Sequence, residues 1–464
     1  MSGSFNKRLV GAIAAGALAA ALAAAPSADA ETLSGALLRA YRNNPDINQQ
    51  RAAVRAADEG VPKASAGYRP TIAGVGSVGV QNEEAGVQGV GSTNTSSVPR
   101  SFGVTATETL FNGGRTGNSV RAAESGVFGA RETLRNTVQN TLLNAVTFYM
   151  NVLRDTAILD LDKKNVAVLA EQLRQTKDRF AVGEVTNTDV AQAQASLAGA
   201  QAIVYSAQAN LANSVAGFRQ YVGEQPTRLA PVKPLAGALP KSLASAVAVS
   251  QAEHPAIVAA RHGVDAAALA VKVAEGALYP TVQVAGSVQQ AWDQQNKPGT
   301  SATIGSIVGS ISVPLWDGGA TYAGARQAKE QLGQQEMAVD SVRAQVRAAV
   351  VSSWGQFEAS AAAIRSDRAQ VDAASRALAG VREEAKVGQR TTLDVLNAQQ
   401  TLLNARVQLV GAERDRVVAS YAVLASVGRL SLGTLGIRGA NYDPTVHYNQ
   451  VKDKWFGLRT PDGR

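Results

Sequence analysis

Two carboxylates occupy matching places in this chain. Asp189 comes a few residues after Val182-Gly183, and Asp394 comes as far after Val387-Gly388, 205 residues further on (394 − 189). Each lies in the first turn after a glycine break, where the positive end of a helix dipole favours a negative charge. Arg390 sits between the second break and its carboxylate. Other candidates for chemistry are weaker. Gly74-Val-Gly76-Ser-Val-Gly79 matches a dinucleotide fingerprint, which must follow a strand and open a helix. Here it lies inside an alternating strand, and small residues in a curved wall account for it better. His254 and His262 fall near one helix face with no third His or Cys, too few ligands for a metal, and read as solvated helix residues. His447 is isolated, Glu83-Glu84 reads as a solvated loop pair, and Tyr279, Trp316 and Trp455 read as packing or interface aromatics. The sequence has no cysteine, hence no disulfide, thiolate metal site or thiol nucleophile. No catalytic constellation is visible, no cofactor or metal is implied, and an enzyme is not expected.

The elements that must position these residues are written twice. Thr32-Leu33, Asn44-Pro45, Ile47, Pro70-Thr71 and Gly76-Ser77 recur 210 residues later (280 − 70) as Ser242-Leu243, His254-Pro255, Ile257, Pro280-Thr281 and Gly286-Ser287. Leu110-Phe111-Asn112-Gly113-Gly114 recurs as Leu315-Trp316-Asp317-Gly318-Gly319, with the offset reduced to 205 (319 − 114). A repeat this long is a duplicated architecture and not a solenoid unit of about 20–50 residues. Each half reads as a helix, two strands and two long helices. The first helix is expected from Thr32 to Val61, ending at Pro62. Period-2 alternation places strands near 70–81, 101–111, 280–291 and 303–313. Phe102, Val104 and Ala106 share one parity, as do Val282, Val284 and Val288, and Ile307, Ile311 and Val313; Ser, Thr and Gln occupy the other. The polar segments 82–100 and 292–302 read as exposed loops.

Helices are expected near 114–182, 187–222, 318–386 and 391–427. Ala145, Val152, Leu159, Val166 and Leu173 recur every seven residues, and so do Val350, Phe357, Ile364, Val371 and Leu378. Such a repeat is a supercoiling seam. The breaks at Gly183 and Gly388 read as helix–turn–helix tips, with Asn187 or Thr188 and Thr391 or Thr392 as N-caps. Residues 31–222 form one repeat, 223–240 a proline-rich linker, 241–427 a second repeat, and 428–464 a tail lying irregularly against the helices. Residues 1–30 have the charged, apolar and Ala28-Asp29-Ala30 regions of an export signal. No apolar run beyond it is long enough for a membrane helix. The formal charge is +8, but the basic residues are scattered among acids with little aromatic interleaving, which argues against nucleic acid. Aromatics make up only 5 %. With alanine dominating the helices, that favours extended coiled coils over one thick core.

Strands of about ten residues have the length of tilted transmembrane strands. Four cannot close a barrel, and an open edge in lipid leaves backbone groups unpaired. The missing strands must come from other copies. Two copies give eight strands and a filled interior; three give twelve and a channel, and three is the expectation. The fold class is therefore an α+β membrane protein, each chain giving four strands to a shared barrel continuous with a long coiled-coil α-barrel. A periplasmic coiled-coil scaffold or adaptor is the competing reading, but it needs no membrane-length strands.

Taken together, the duplication, the Leu-Phe-Asn-Gly-Gly and Leu-Trp-Asp-Gly-Gly turns, and the tips Phe180-Ala-Val-Gly183…Thr188-Asp189-Val190 and Val387-Gly-Gln-Arg390-Thr-Thr-Leu-Asp394-Val-Leu-Asn397 resemble the TolC family of outer-membrane exit ducts over nearly the whole chain. The resemblance implies a homotrimer in outer-membrane lipid. It also implies a periplasmic adaptor docked on the tips at Gly183 and Gly388, and an inner-membrane ABC or RND pump. An exported protein or drug would pass through the lumen. Gly113, Gly114, Gly318 and Gly319 would be the strand-to-helix turns. By position, Arg390 would face Thr188 and Asp189 at the periplasmic gate, and Asp394 would form a carboxylate ring. Asn397 stands where some members carry a second Asp, and Ala385 where some carry a locking Tyr. The tail, with Tyr442-Asp-Pro, His447-Tyr448 and Lys454-Trp455-Phe456-Gly457, is similar to that of type I secretion members. Type I protein secretion is therefore expected ahead of drug efflux.

Overall fold

The computed structural model describes residues 30–463 apart from 88, 90, 236, 295–297, 440 and 441. The expected export signal at 1–30 lies almost wholly outside the described residues. Each half opens with helices: α1 Leu33–Asn43, α2 Pro45–Asp58 and α3 Gly60–Ser65 in the first, α6 Leu243–Glu253 and α7 Pro255–Gly276 in the second. The single helix expected over Thr32–Val61 is thus three helices. Pro45 excludes its predecessor from helical geometry. Asn44 accordingly takes φ −63° and ψ 128°, and its side chain accepts from the Asp46 and Ile47 amides. His254 before Pro255 does the same, accepting from Ala256 through Nδ1. Pro62 does not end the run, because it falls in the first turn of α3, where no N–H is needed.

Four strands form one antiparallel sheet: β1 Thr71–Val78, β4 Arg100–Asn112, β5 Thr281–Trp292 and β6 Ser301–Ser312, in the order β1-β4-β5-β6. The two repeats join through β4 and β5, and β1 and β6 are the free edges. The register aligns Ile72, Ala106, Gly286 and Ile307 in one row and Ala73, Thr105, Ser287 and Ser306 in the next. In these rows one face is mainly apolar and the other mainly polar, although Glu108 faces Val284 on the first and Val75, Ile304 and Val308 sit on the second. Serine pairs link the polar face at Ser77–Ser101 (2.8 Å) and Ser287–Ser306 (3.0 Å), the same bond in each repeat. The apolar face is open: Ile72 is 72 % exposed and Ile307 84 %. Segment 82–100, expected as a loop, instead carries a hairpin of β2 Gln81–Val87 and β3 Gly91–Ser97. Its run of Asn, Glu, Ser and Thr has no apolar parity to betray a strand, and main-chain pairing joins it into a ladder. Gly74 and Gly76 lie inside β1, and Gly79 just beyond it, with no helix following.

Next come two helices of 67 residues, α4 Arg115–Ala181 and α8 Ala320–Lys386, each about 100 Å long at 1.5 Å per residue. α5 Asn187–Val222 and α9 Thr392–Ser426 return alongside them. Val152, Leu159, Val350 and Leu378 of the seven-residue seams are buried. The main core lies midway, where α1 (Leu37, Ala40), α4 (Leu142, Tyr149), α5 (Phe218) and α9 (Tyr421, Leu424) meet. There the Tyr149 hydroxyl is 2.7 Å from the Glu31 carbonyl and 2.8 Å from that of Ala230, tying the segment before α1 to the linker, and burial pushes its pKa up to about 12. The tail is more ordered than expected. It forms α10 Pro444–Val451, where His447 Nδ1 stands 2.9 Å from Asp58 Oδ2. His447 is therefore not isolated, and His254, only 9 % exposed, is not solvated. Among the described residues no helix is long and apolar enough to cross a membrane.

Candidate functional site

The far ends of the two long hairpins are built alike from the backbone outward. After α4, Gly183 takes φ 81° and its amide donates to the Phe180 carbonyl at 3.0 Å; after α8, Gly388 takes φ 77° and donates to Ala385 at 3.3 Å. A positive φ is where glycine avoids the Cβ clash other residues meet. The chain then enters the return helix through a capping box. The Thr186 amide donates to Asp189 Oδ2 at 2.9 Å while the Asp189 amide donates to Thr186 Oγ1 at 3.3 Å. The Thr391 and Asp394 bonds are 2.9 and 3.2 Å. Each box satisfies two donors that a helix start leaves free. The first cap is thus Thr186, not Asn187 or Thr188. A Thr-x-x-Asp spacing in both tips was the available signal.

Hydrogen bonds from the Thr186 side chain and backbone hold the Asp189 carboxyl below the ordinary carboxylate range, and Thr391 does the same for Asp394, backbone bond first. The box uses Asp394 Oδ2; Oδ1 has no hydrogen-bond partner among the described residues. Thr188 and Asn397 are exposed. Arg390 does not reach Thr188 or Asp189 within the chain. Its Nε donates to Glu384 Oε2 at 2.8 Å, a clasp across its own turn that raises its pKa. Arg179 and Glu184 clasp the first tip at 2.9 Å. The two hairpins meet higher up, where Leu396 packs with Leu169 and Ala200 and Gln399 donates to Asn165 at 3.4 Å. Of the expected gate residues, the chain joins Asp189 and Asp394 each to its own cap and does not join Arg390 to either Thr188 or Asp189.

The strand-to-helix turns are also paired. Gly113 and Gly114 take φ 69° and 76°, Gly318 and Gly319 φ 70° and 90°. Asn112 ties the first turn by donating to Thr116 Oγ1 at 2.7 Å. Asp317 ties the second by accepting from the Gly319 and Thr321 amides at 3.0 and 2.7 Å, and its bonds to Thr321 depress its pKa most. Their surroundings differ. The end of α7 covers the first turn so closely that a Cβ on Gly113 would lie 2.2 Å from the Gly276 carbonyl, whereas one on Gly318 would meet nothing within 4 Å. Leu315 and Trp316 are 92 % and 78 % exposed.

A family model described as outer membrane efflux protein matches residues 36–224 and 247–429, one segment in each repeat. The outer membrane efflux protein BepC of Brucella suis is 45 % identical over 434 residues, 94 % of this chain and 93 % of that protein. The outer membrane protein TolC of Escherichia coli is 25 % identical over 416 residues, 87 % of this chain and 83 % of that protein. In fold, the chain is similar to the CmeC outer membrane channel of Campylobacter jejuni, with a TM-score of 0.78 at 16 % identity over 91 % of this chain and 89 % of that one.

Proposed function

The chain belongs to the outer membrane efflux protein family, located in the outer membrane with a periplasmic tunnel, and from that premise we propose that three copies form one exit duct serving an inner-membrane pump. The observation that carries this reading is the half-satisfied duplication. Contacts made inside the chain by the first repeat lack their counterparts in the second. β4 has β5 beside it while β6 has no outer neighbour among the described residues, and the turn at Gly113 is covered while that at Gly318 is open. A neighbouring copy supplies both. Applying the repeat offsets to the pair Thr105↔Ser287 sets Ser310 (105 + 205) opposite Ser77 (287 − 210) of the next chain. Three such joints close twelve strands, enough for an open lumen, and the apolar face then meets lipid.

In this assembly the tips converge on the periplasmic entrance, where an adaptor engages the turns at Gly183 and Gly388. Asp394 keeps Oδ2 in its cap and presents Oδ1 to the axis. Three copies make a negative ring whose field the narrow walls strengthen. Thr188, Asp189 and Arg390 lie beside it, and Asn397 adds no second charged ring. Opening separates the hairpins, driven by a partner that binds the open state better. We assign the cargo to type I protein secretion with an ABC pump, on the tail from Tyr442 to Gly457. Efflux of small molecules by an RND pump is the second reading, favoured by the efflux name of the 45 % identical BepC. Deleting the gene, then comparing secreted proteins and drug sensitivity, separates the two. Loss of a secreted protein at unchanged drug sensitivity supports the first, the reverse supports the second, and no change in either contradicts export altogether.

A further inference from the structure

A cavity of about 530 Å³ lies between the first repeat, the junction of α6 and α7, and the tail, far along the chain from the hairpin tips. Its size is within the range of small-molecule sites. Arg51 of α2, Arg131 and Gln139 of α4, the loop 428–434 and Tyr442 line it. Buried side-chain donors without a protein partner gather there: Arg51 Nε, Arg131 Nε and Nη2, Gln139 Nε2 and the Tyr442 hydroxyl. The remaining bonds of these groups are spent. Arg51 gives its two Nη atoms to Asn48 Oδ1 at 2.8 Å and the Tyr41 carbonyl at 3.0 Å. Its guanidinium lies over the Tyr41 and Tyr442 rings, 4.6 and 5.2 Å from their centres. Gln139 is 4 % exposed, and its Oε1 accepts from the Leu430 amide at 3.1 Å, so the free end is its NH₂. Arg131 packs on Tyr448 at 5.3 Å, and its nearest carboxylate, Asp58 Oδ1, is 4.0 Å away.

Every unpaired side-chain atom on the wall can therefore donate, the Tyr442 hydroxyl also accepting, while Asp58 Oδ1, beside Arg131 but off the wall, is an unpaired acceptor. Arg135 and Arg429 also line the cavity and are paired with Glu132 and Glu253 at 2.7 and 2.8 Å. That leaves Arg51 as the cation on the wall with no carboxylate partner among the described residues, and Arg131 with only the 4.0 Å contact to Asp58, whose other oxygen meets His447. Buried donors need acceptors, and charge-assisted bonds to an anion are the strong ones. A carboxylate offers about four lone-pair positions, fewer than the five donor atoms here; a tetrahedral oxyanion offers more.

We propose that this cavity is a binding site for a small oxyanion of the phosphate class, held by Arg51, Arg131 and Gln139 of the first repeat and Tyr442 of the tail. The bound anion pins the tail to the helices, and the site stands independently of the export reading. The test is calorimetric titration of the detergent-purified full chain with inorganic phosphate, glycerol 3-phosphate and acetate at matched ionic strength. Saturable binding of either phosphate, one per chain and tighter than acetate, is expected. Preference for inorganic phosphate identifies the free ion as the class, and preference for glycerol 3-phosphate identifies a phosphomonoester. Arg131→Gln and Gln139→Leu should each weaken binding about tenfold. Tyr442→Phe, which keeps the ring over Arg51, should weaken it a few-fold. Phosphate should also slow amide exchange over 442–451 in the wild type. No saturable binding to the wild type means that the cavity holds water only and overturns the proposal, whatever the variants do. Equal affinity for acetate, or unchanged affinity in all three variants, overturns it as well.

Discussion

The two hairpin tips share a cap and reverse a charge. Thr186 with Asp189 and Thr391 with Asp394 make the same reciprocal bonds. In the first tip, Arg179 on the helix is clasped by Glu184 on the turn; in the second, Glu384 on the helix is clasped by Arg390 on the turn. Arg179 and Glu384 are equivalent positions, 205 apart (384 − 179). At both tips the backbone must leave a turn and start a helix, and the unsatisfied amides are the same in each, so the cap is kept. The clasp is exposed, and an exposed ion pair contributes little to stability, so its polarity is free to change. One tip therefore carries an anion on the turn and the other a cation. Hairpins alternating around a closed ring would place Glu184 beside Arg390.

The two shared carboxylates should differ most in cation block. Asp394→Ala should abolish nearly all block by multivalent cations applied from the periplasmic side in planar bilayers, since Asn397 supplies no second ring. Asp189→Ala should leave most of it. Equal loss in both would mean that the ring is not formed by Asp394 alone. Next, Arg390→Ala should raise single-channel conductance, and Arg179→Ala should change it less. If the Arg390 variant conducts as the wild type does, the clasp to Glu384 is its whole role.

A smaller effect tests what the tips share. Loss of an N-cap costs on the order of 1 kcal/mol. Thr186→Ala and Thr391→Ala should therefore speed amide exchange in the first turns of α5 and α9 about equally. Smallest is the pH response. The folded carboxyls of Asp189 and Asp394 titrate below their unfolded value of 3.8. Their stabilisation is fully present above that value and is lost as pH falls through the lower folded values. Tip protection, corrected for intrinsic exchange, should be flat from neutral pH to about 5 and fall only below 4. A loss near neutrality in one tip alone would show that its carboxyl is not held as its cap implies.

Much of the fold was legible because it rests on periodicity. Seven-residue seams announced both long helices, and alternation at Val282, Val284 and Val288 announced a strand with one apolar face. What stayed hidden rests on single contacts. Nothing in the polar run of β2 and β3 distinguishes a main-chain-paired hairpin from a loop. His447 looked isolated because its partner, Asp58, is 389 positions away. The break at Asn44-Pro45 is readable from the proline, which bars its predecessor from helical geometry. At the site, Thr-x-x-Asp marked the caps, whereas no spacing distinguished Glu384 from the other acids as the partner of Arg390.

In the proposed trimer the second repeat completes itself on a neighbouring chain, and a cysteine-free sequence makes that joint directly measurable. Ser77→Cys and Ser310→Cys together place two thiols on directly opposed residues of β1 and β6 across the predicted joint. Facing residues in an antiparallel pair lie about 4.5–5.5 Å apart between Cα atoms, within disulfide reach. Oxidation in membranes should yield a covalent trimer under denaturing electrophoresis, and either single variant should stay monomeric. A double variant that stays monomeric, or that closes a covalent dimer and nothing larger, would contradict the shared barrel.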